Sequence, residues 1–318
     1  AWAPRLAGVD VVVNAVGILR EHGTQTFENI HTRAPQALFA ACAEAGVQKV
    51  VQISALGADR GNTGYFTSKH AADEFLSSLP VRWVIVQPSL VFGAGGASAT
   101  LFTLLASLPV IPLPGGGRQQ VQPIHIDDAV AALREIIERP EMDRRRVALV
   151  GPEALGLKEF LQRLRARLQL PRARLISIPN GIMRASAAVA EHLPGSLLDR
   201  ETLSMLNAGN TASSDDTQKL LGGPPRPTER LISDEQRDAL LLAAQMAWLL
   251  PLLRFSIALV WIWTGIVSLG LYPTQDSYEL LARVGITGAL APVMLYGAAV
   301  LDLLVGVGTL VLRRRRWL

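Results

Sequence analysis

Short apolar runs alternate with stretches of helical spacing through the first half of the chain. The runs at 9–13 (VDVVV), 50–53 (VVQI), 81–86 (VRWVIV) and 146–151 (RVALVG) are brief and rich in β-branched residues. That is the pattern of parallel strands buried on both faces. Between them, residues 32–45, 98–108, 129–138 and 157–168 repeat their apolar positions every three or four residues, and a further helix starts near 64. Strand and helix in alternation predict an α/β fold, a doubly wound parallel sheet. Residues 112–118 (PLPGGGR) predict a mobile loop, and an Asp after His125 is expected to cap the helix at 129–138. His125 and His31 are expected to serve structure.

The pattern then changes. Residues 175–208 are helical and mixed, and residues 209–230, ending in GGPPRPTER, have the composition of a linker. Residues 234–246 are amphipathic. Two segments, 248–271 and 289–312, are 24 residues each and carry one charge apiece, Arg254 and Asp302. Each is long enough to cross about 30 Å of hydrocarbon. Several aromatic residues, among them Trp248, Tyr272 and Trp317, stand near the segment ends, where interfacial rings belong. The predicted division is 1–210, an α/β domain; 211–247, linker and amphipathic helix; 248–318, a two-helix membrane region. The run Arg313–Arg316 should stay cytoplasmic, which as a hairpin places the α/β domain in the cytoplasm, at the inner (cell) membrane. Arg254 and Asp302 are expected to pair within the bilayer.

Composition narrows the chemistry. The net charge is +4, with no basic stripe interleaved with aromatics, so nucleic acid is not an expected partner. A single cysteine, Cys42, excludes an internal disulfide and a cysteine-based zinc site, and no metal site is expected.

The densest chemistry lies at 49–76, KVVQISALGADRGNTGYFTSKHAADEFL. Tyr65 falls in the first helical turn and Lys69 one turn later, so phenol and ammonium share a face. Ser54 ends the preceding strand, where open α/β sheets bind ligands. A phenol titrates near ~10, and a neighbouring ammonium should lower that value. With Ser54 holding a carbonyl or alcohol oxygen, such a trio can exchange a proton with it while a nicotinamide carries hydride. The same letters also suit an ordinary amphipathic helix start.

YxxxK after a strand ending in Ser resembles the short-chain dehydrogenase/reductase superfamily. ISALGAD, with NAVGIL upstream and QPSLVFG and PIHIDDA downstream, resembles its atypical branch, which includes the NAD(P)H-binding accessory subunit of respiratory complex I. The resemblance covers about residues 8 to 210 and implies a Rossmann-like sheet and NAD or NADP as cofactor. It assigns Tyr65 as acid/base, Lys69 to tune it and hold the nicotinamide ribose, and Ser54 to orient substrate. It puts Asn14, Ala15, Gly17, Pro88, Ser89 and Val91 beside the nucleotide. No strand–GxxGxxG–helix unit is present, so the N-terminal half of such a domain is expected to be missing, roughly three βα units. The apolar C-terminal region, with LLRFSIALVWIWTGIVSLGL and VLDLLVG, resembles the DoxX-like membrane family, which usually has four helices; truncation is expected there too.

Three functions compete: a membrane-tethered NAD(P)H-dependent oxidoreductase acting on a carbonyl or alcohol, a non-catalytic nucleotide-binding scaffold or sensor in a membrane complex, and sugar-nucleotide epimerisation. Epimerases commonly have a longer Ser-to-Tyr insert. The expected partners are a nicotinamide nucleotide, the lipid bilayer and a membrane protein complex.

Overall fold

A computed structural model describes residues 2–190 and 200–312. The four apolar runs form one parallel sheet: β1 (Val11–Asn14), β2 (Lys49–Ile53), β3 (Arg82–Pro88) and β4 (Arg145–Leu149), ordered β1-β2-β3-β4. Helices α1 (Ala34–Glu44), α2 (Gly64–Ser78) and α3 (Ile126–Glu138) connect or flank them. Side chains alternate across a strand, so each run feeds two cores. Val50 and Ile85 pack with Phe39, Cys42, Ala72 and Leu76 of α1 and α2. Val51, Val84, Val86 and Val147 pack with Ala132 and Ile136 of α3 on the other face. This is a Rossmann-like, doubly wound arrangement. A third core gathers Phe92, Phe102, Ile111, Leu113, Phe160, Leu161 and Leu164 beyond the sheet. Phe160, Leu161 and Leu164 of the helix Leu157–Arg167, and Leu168 just past its end, are all buried.

Three expectations change. Part of the predicted 112–118 loop is a strand, Val110–Pro114, paired in parallel with Arg174–Ile178; Pro112 and Pro114 are accommodated because this is a two-stranded ribbon, with edges where a missing N–H costs little. The turn follows at Gly115, Gly116 and Gly117, all with positive φ. At α3 the cap is His125, whose side chain accepts from the Asp127 N–H; Asp127 and Asp128 instead grip Arg226 at 2.7 and 3.1 Å. Arg226 belongs to the 209–230 stretch, which packs rather than swings. There the helix Asp215–Leu221 buries Thr217 and Leu220, and Thr217 Oγ1 accepts from the Val150 N–H at 3.0 Å. Polar composition had concealed those anchors.

The chain divides into compact units at 1–242 and 243–318. In the second, the helix that began at Asp234 runs to Ile266, and Leu290–Val311 packs back against it. With the turn that follows the first, both are long and apolar enough to cross a membrane. Small residues set their register. A Cβ on Gly306 would lie 2.6 Å from Ile262, and one on Gly265 would lie 2.7 Å from Leu303, so the helices approach closely at these points. The expected Arg254–Asp302 pair does not form. In this register Arg254 donates to the carbonyls of Thr309 and Leu310 in the last turn of the opposite helix. Asp302 lies two turns away, roughly 11 Å along the axis. Arg313–Arg316 and Trp317 lie outside the described residues.

Candidate active site

The C-terminal ends of β1, β2 and β3 open into one cleft of about 310 Å³. The loop after β1 contributes Ala15, Gly17 and Ile18; β2 contributes Ile53 and then Ser54; β3 ends in Pro88, followed by Ser89 and Val91; α2 contributes Tyr65 and Lys69. Eight of the nine side-chain positions proposed from the sequence thus line one space. The ninth, Asn14, does not: its amide donates to Gln52 Oε1 at 2.7 Å and its own oxygen accepts from the Val16 N–H, so it braces the loop from below.

α2 is held so that its reactive stripe faces the strand ends. Thr63 caps it, accepting from the Phe66 N–H. Phe66, Lys69, Ala72, Asp73 and Leu76 are buried, a stripe of three- and four-residue steps. Lys69 Nζ donates to the Ile53 carbonyl at 3.0 Å and to Val16 O at 3.4 Å. A Cβ at residue 17 would sit 3.1 Å from that nitrogen, so glycine keeps the space above the ammonium open. Burial pulls the Lys69 amine down to about 8, against the opposing influence of Asp73.

Tyr65 stands within an aromatic group, edge-on to His31 at 5.2 Å and to Phe27 at 6.0 Å. Burial pushes its phenol up to about 12. This reverses the expected lowering: burial disfavours the charged phenolate and sets the direction of the shift. His31 has both ring nitrogens hydrogen-bonded within the fold. Its Nε2 accepts from the Ile18 N–H at 2.9 Å, which leaves the proton on Nδ1 to reach Ser68 Oγ at 3.0 Å. Burial, with Lys69 second, lowers its pKa to about 4, so the ring is neutral at ordinary pH.

Sequence reasoning missed Asp73. It is buried, and its Oδ2 accepts the Ser54 hydroxyl. The signal was available, since Asp73 follows Lys69 by the same four-residue step that separates Lys69 from Tyr65.

The open space over Gly17 and the half-satisfied Lys69 ammonium suit the ribose–nicotinamide end of a dinucleotide. Residues 1–98 match the NAD(P)H-binding family, and residues 258–318 match the DoxX-like family. The chain therefore joins an NAD(P)H-binding, oxidoreductase-like domain to a DoxX-like region with two apolar helices. A ceramide reductase of Caulobacter vibrioides is 26% identical over 188 residues, 58% of this chain and 59% of that protein. A 40 kDa subunit of mitochondrial NADH-ubiquinone oxidoreductase from Neurospora crassa is 25% identical over 183 residues, 57% of this chain and 47% of that protein. The chain thus spans about half the length of these relatives. The NADPH-bound quinone oxidoreductase QOR2 of Escherichia coli has the same fold at TM-score 0.58 and 17% identity, covering 75% of this chain and 78% of that one.

Proposed function

We propose that this protein is a membrane-tethered NAD(P)H-dependent oxidoreductase that interconverts a carbonyl and an alcohol on an uncharged, lipid-like molecule. The observation that carries this reading is the cleft itself. It gathers Ser54, Tyr65 and Lys69, while Ile18, Leu19, Leu56, Phe66, Leu90 and Met205 supply apolar walls, and Lys69 is the sole charged side chain among the described lining residues. A sugar nucleotide as substrate would bring a second diphosphate beside the cofactor's, and the described lining offers no cation besides Lys69 to meet it. A long apolar chain asks only for dry, greasy walls. The name of the Caulobacter relative, a ceramide reductase, points to the same class.

When bound, the nicotinamide supplies the hydride. Lys69 holds the ribose side through its remaining N–H and offsets negative charge on the Tyr65 oxygen. Tyr65 gives its proton to the carbonyl oxygen during reduction and takes it back during oxidation. The apolar walls exclude water from the exchange.

The second reading is a nucleotide-binding scaffold in a membrane complex. The raised Tyr65 phenol and the complex I relatives favour it. One experiment separates the two. The full chain in detergent is assayed with NADH and NADPH against long-chain neutral aldehydes and ketones. Tyr65→Phe should lower kcat by roughly 10²- to 10⁴-fold and leave nucleotide Kd nearly unchanged, since only a hydroxyl is lost. Equal turnover by Tyr65→Phe and wild type sinks the catalytic reading.

A further inference from the structure

Tyr65, Lys69 and Asp73 occupy successive i, i+4 positions on α2, so one stripe carries a phenol, an amine and a carboxyl group. Asp73 is 1% exposed. One of its oxygens accepts the Ser54 hydroxyl, and the other is enclosed without a hydrogen-bond partner. As mere packing this is an expensive arrangement, because a buried carboxylate with an unmet oxygen loses hydration that one hydrogen bond does not replace. Asn or Leu would fill the same space more cheaply.

A serine hydroxyl has one proton. While Asp73 is a carboxylate, Ser54 has committed that proton to it, and Ser54 turns only lone pairs toward the cleft. Resting on the oxidoreductase reading, we propose that Asp73 is a positioning residue that sets the hydrogen-bond polarity of Ser54. With Asp73 ionised, Ser54 accepts from a substrate hydroxyl. With Asp73 protonated, Asp73 donates to Ser54 and releases the serine proton toward a substrate carbonyl. At neutral pH the carbonyl therefore has Tyr65 as its donor, and Ser54 holds the alcohol.

The surroundings place this change within reach. Burial is the largest influence and raises the Asp73 carboxyl to about 6. The Ser54 hydrogen bond, Lys69 and His70 on the same helix, and Arg146 from β4 all pull the other way. His31, from the segment packed against α2, faces Lys69 and is neutral.

The test needs no turnover. The protonated-carboxyl infrared band of Asp73 is followed against pH in the full chain in detergent, with Asp73→Asn identifying the band and Asp73→Glu shifting it should the amide variant fail to fold. Ser54→Ala should move the midpoint upward by roughly one to two pH units, the worth of a charge-assisted hydrogen bond. Ser54→Thr, which keeps the hydroxyl, should restore it. An unchanged midpoint in Ser54→Ala overturns the coupling. A second arm uses a neutral long-chain aldehyde as probe. Its KM for reduction should fall several-fold as pH drops through about 6 in wild type and stay level in Asp73→Asn; parallel profiles in the two proteins overturn the polarity switch. The infrared result is independent of whether the enzyme turns over, so failure of the oxidoreductase reading and failure of this one are distinguishable.

Discussion

Two lysines are buried at opposite ends of β2, and they are treated in opposite ways. Lys49 opens the strand and is 3% exposed. Its ammonium donates to Ile136 O at 2.6 Å and Arg139 O at 3.1 Å, and pairs with Asp143 at 2.7 Å. Two carbonyls accept from it, and its charge is met by a carboxylate. Lys69 reaches the other end of the strand and is 4% exposed. It has two carbonyls, one of them at 3.4 Å, and no ion pair among the described residues. A closed cation stabilises a fold, whereas an open one holds binding capacity in reserve for a ligand. The difference follows the rule that open α/β sheets bind at the carboxyl ends of their strands. Arg254 is a third case, an arginine in an apolar helix that uses backbone carbonyls alone. The last turn of a helix carries unpaired C=O groups and partial negative charge, so it can stand in for a carboxylate.

The sharpest way to break this comparison is Lys49→Met. It leaves two carbonyls unmet and Asp143 with Arg82 alone, at 3.5 Å, and should cost about 2–4 kcal/mol in denaturant unfolding of the α/β unit. A loss under about 0.5 kcal/mol would mean that Lys49 is dispensable to the fold.

Lys69→Met should do the reverse, with unfolding free energy near pH 7 staying within about 1 kcal/mol of wild type and nucleotide binding weakened. Its pH dependence sharpens the point. Folding lowers the Lys69 pKa from 10.5 to about 8, so between those values the unfolded chain binds the extra proton. Wild-type stability should then gain a contribution that grows as pH rises through that window, and Lys69→Met should lack it. Identical pH slopes would show that the amine is compensated after all.

The smallest effect is expected in the DoxX-like region. In a double-mutant cycle of Arg254→Leu and Asp302→Leu, read as thermal stability in detergent, the coupling should stay within about 0.5 kcal/mol, because the two side chains do not meet. A coupling above about 1 kcal/mol would restore the ion pair.

Much of the site was legible because its spacing is local. Tyr65 and Lys69 share a helix, and Ser54 ends the strand before it, so their convergence follows from helix period and strand direction. Asp73 lies on the same stripe but gained meaning only when Ser54 was seen to donate to it. The resemblance put Asn14 beside the nucleotide; in the fold its amide donates to Gln52 on the neighbouring strand. The 209–230 stretch misled by composition: Thr217 and Leu220 are two buried anchors among many polar letters, and burial is a property of partners rather than of letters.

By itself, the sequence determined the alternation of strands and helices, the Tyr65–Lys69 face, the two membrane-length helices and the absence of an internal disulfide. These depend on period, length and residue type, which are short-range properties of a chain. Only the tertiary structure decided which cation is met and which is left open, which way the Ser54 proton points, how far the Tyr65 phenol is raised, and where Arg254 finds its oxygens. Each of these turns on groups distant in sequence, brought together where water is excluded and every unmatched charge or proton has a cost.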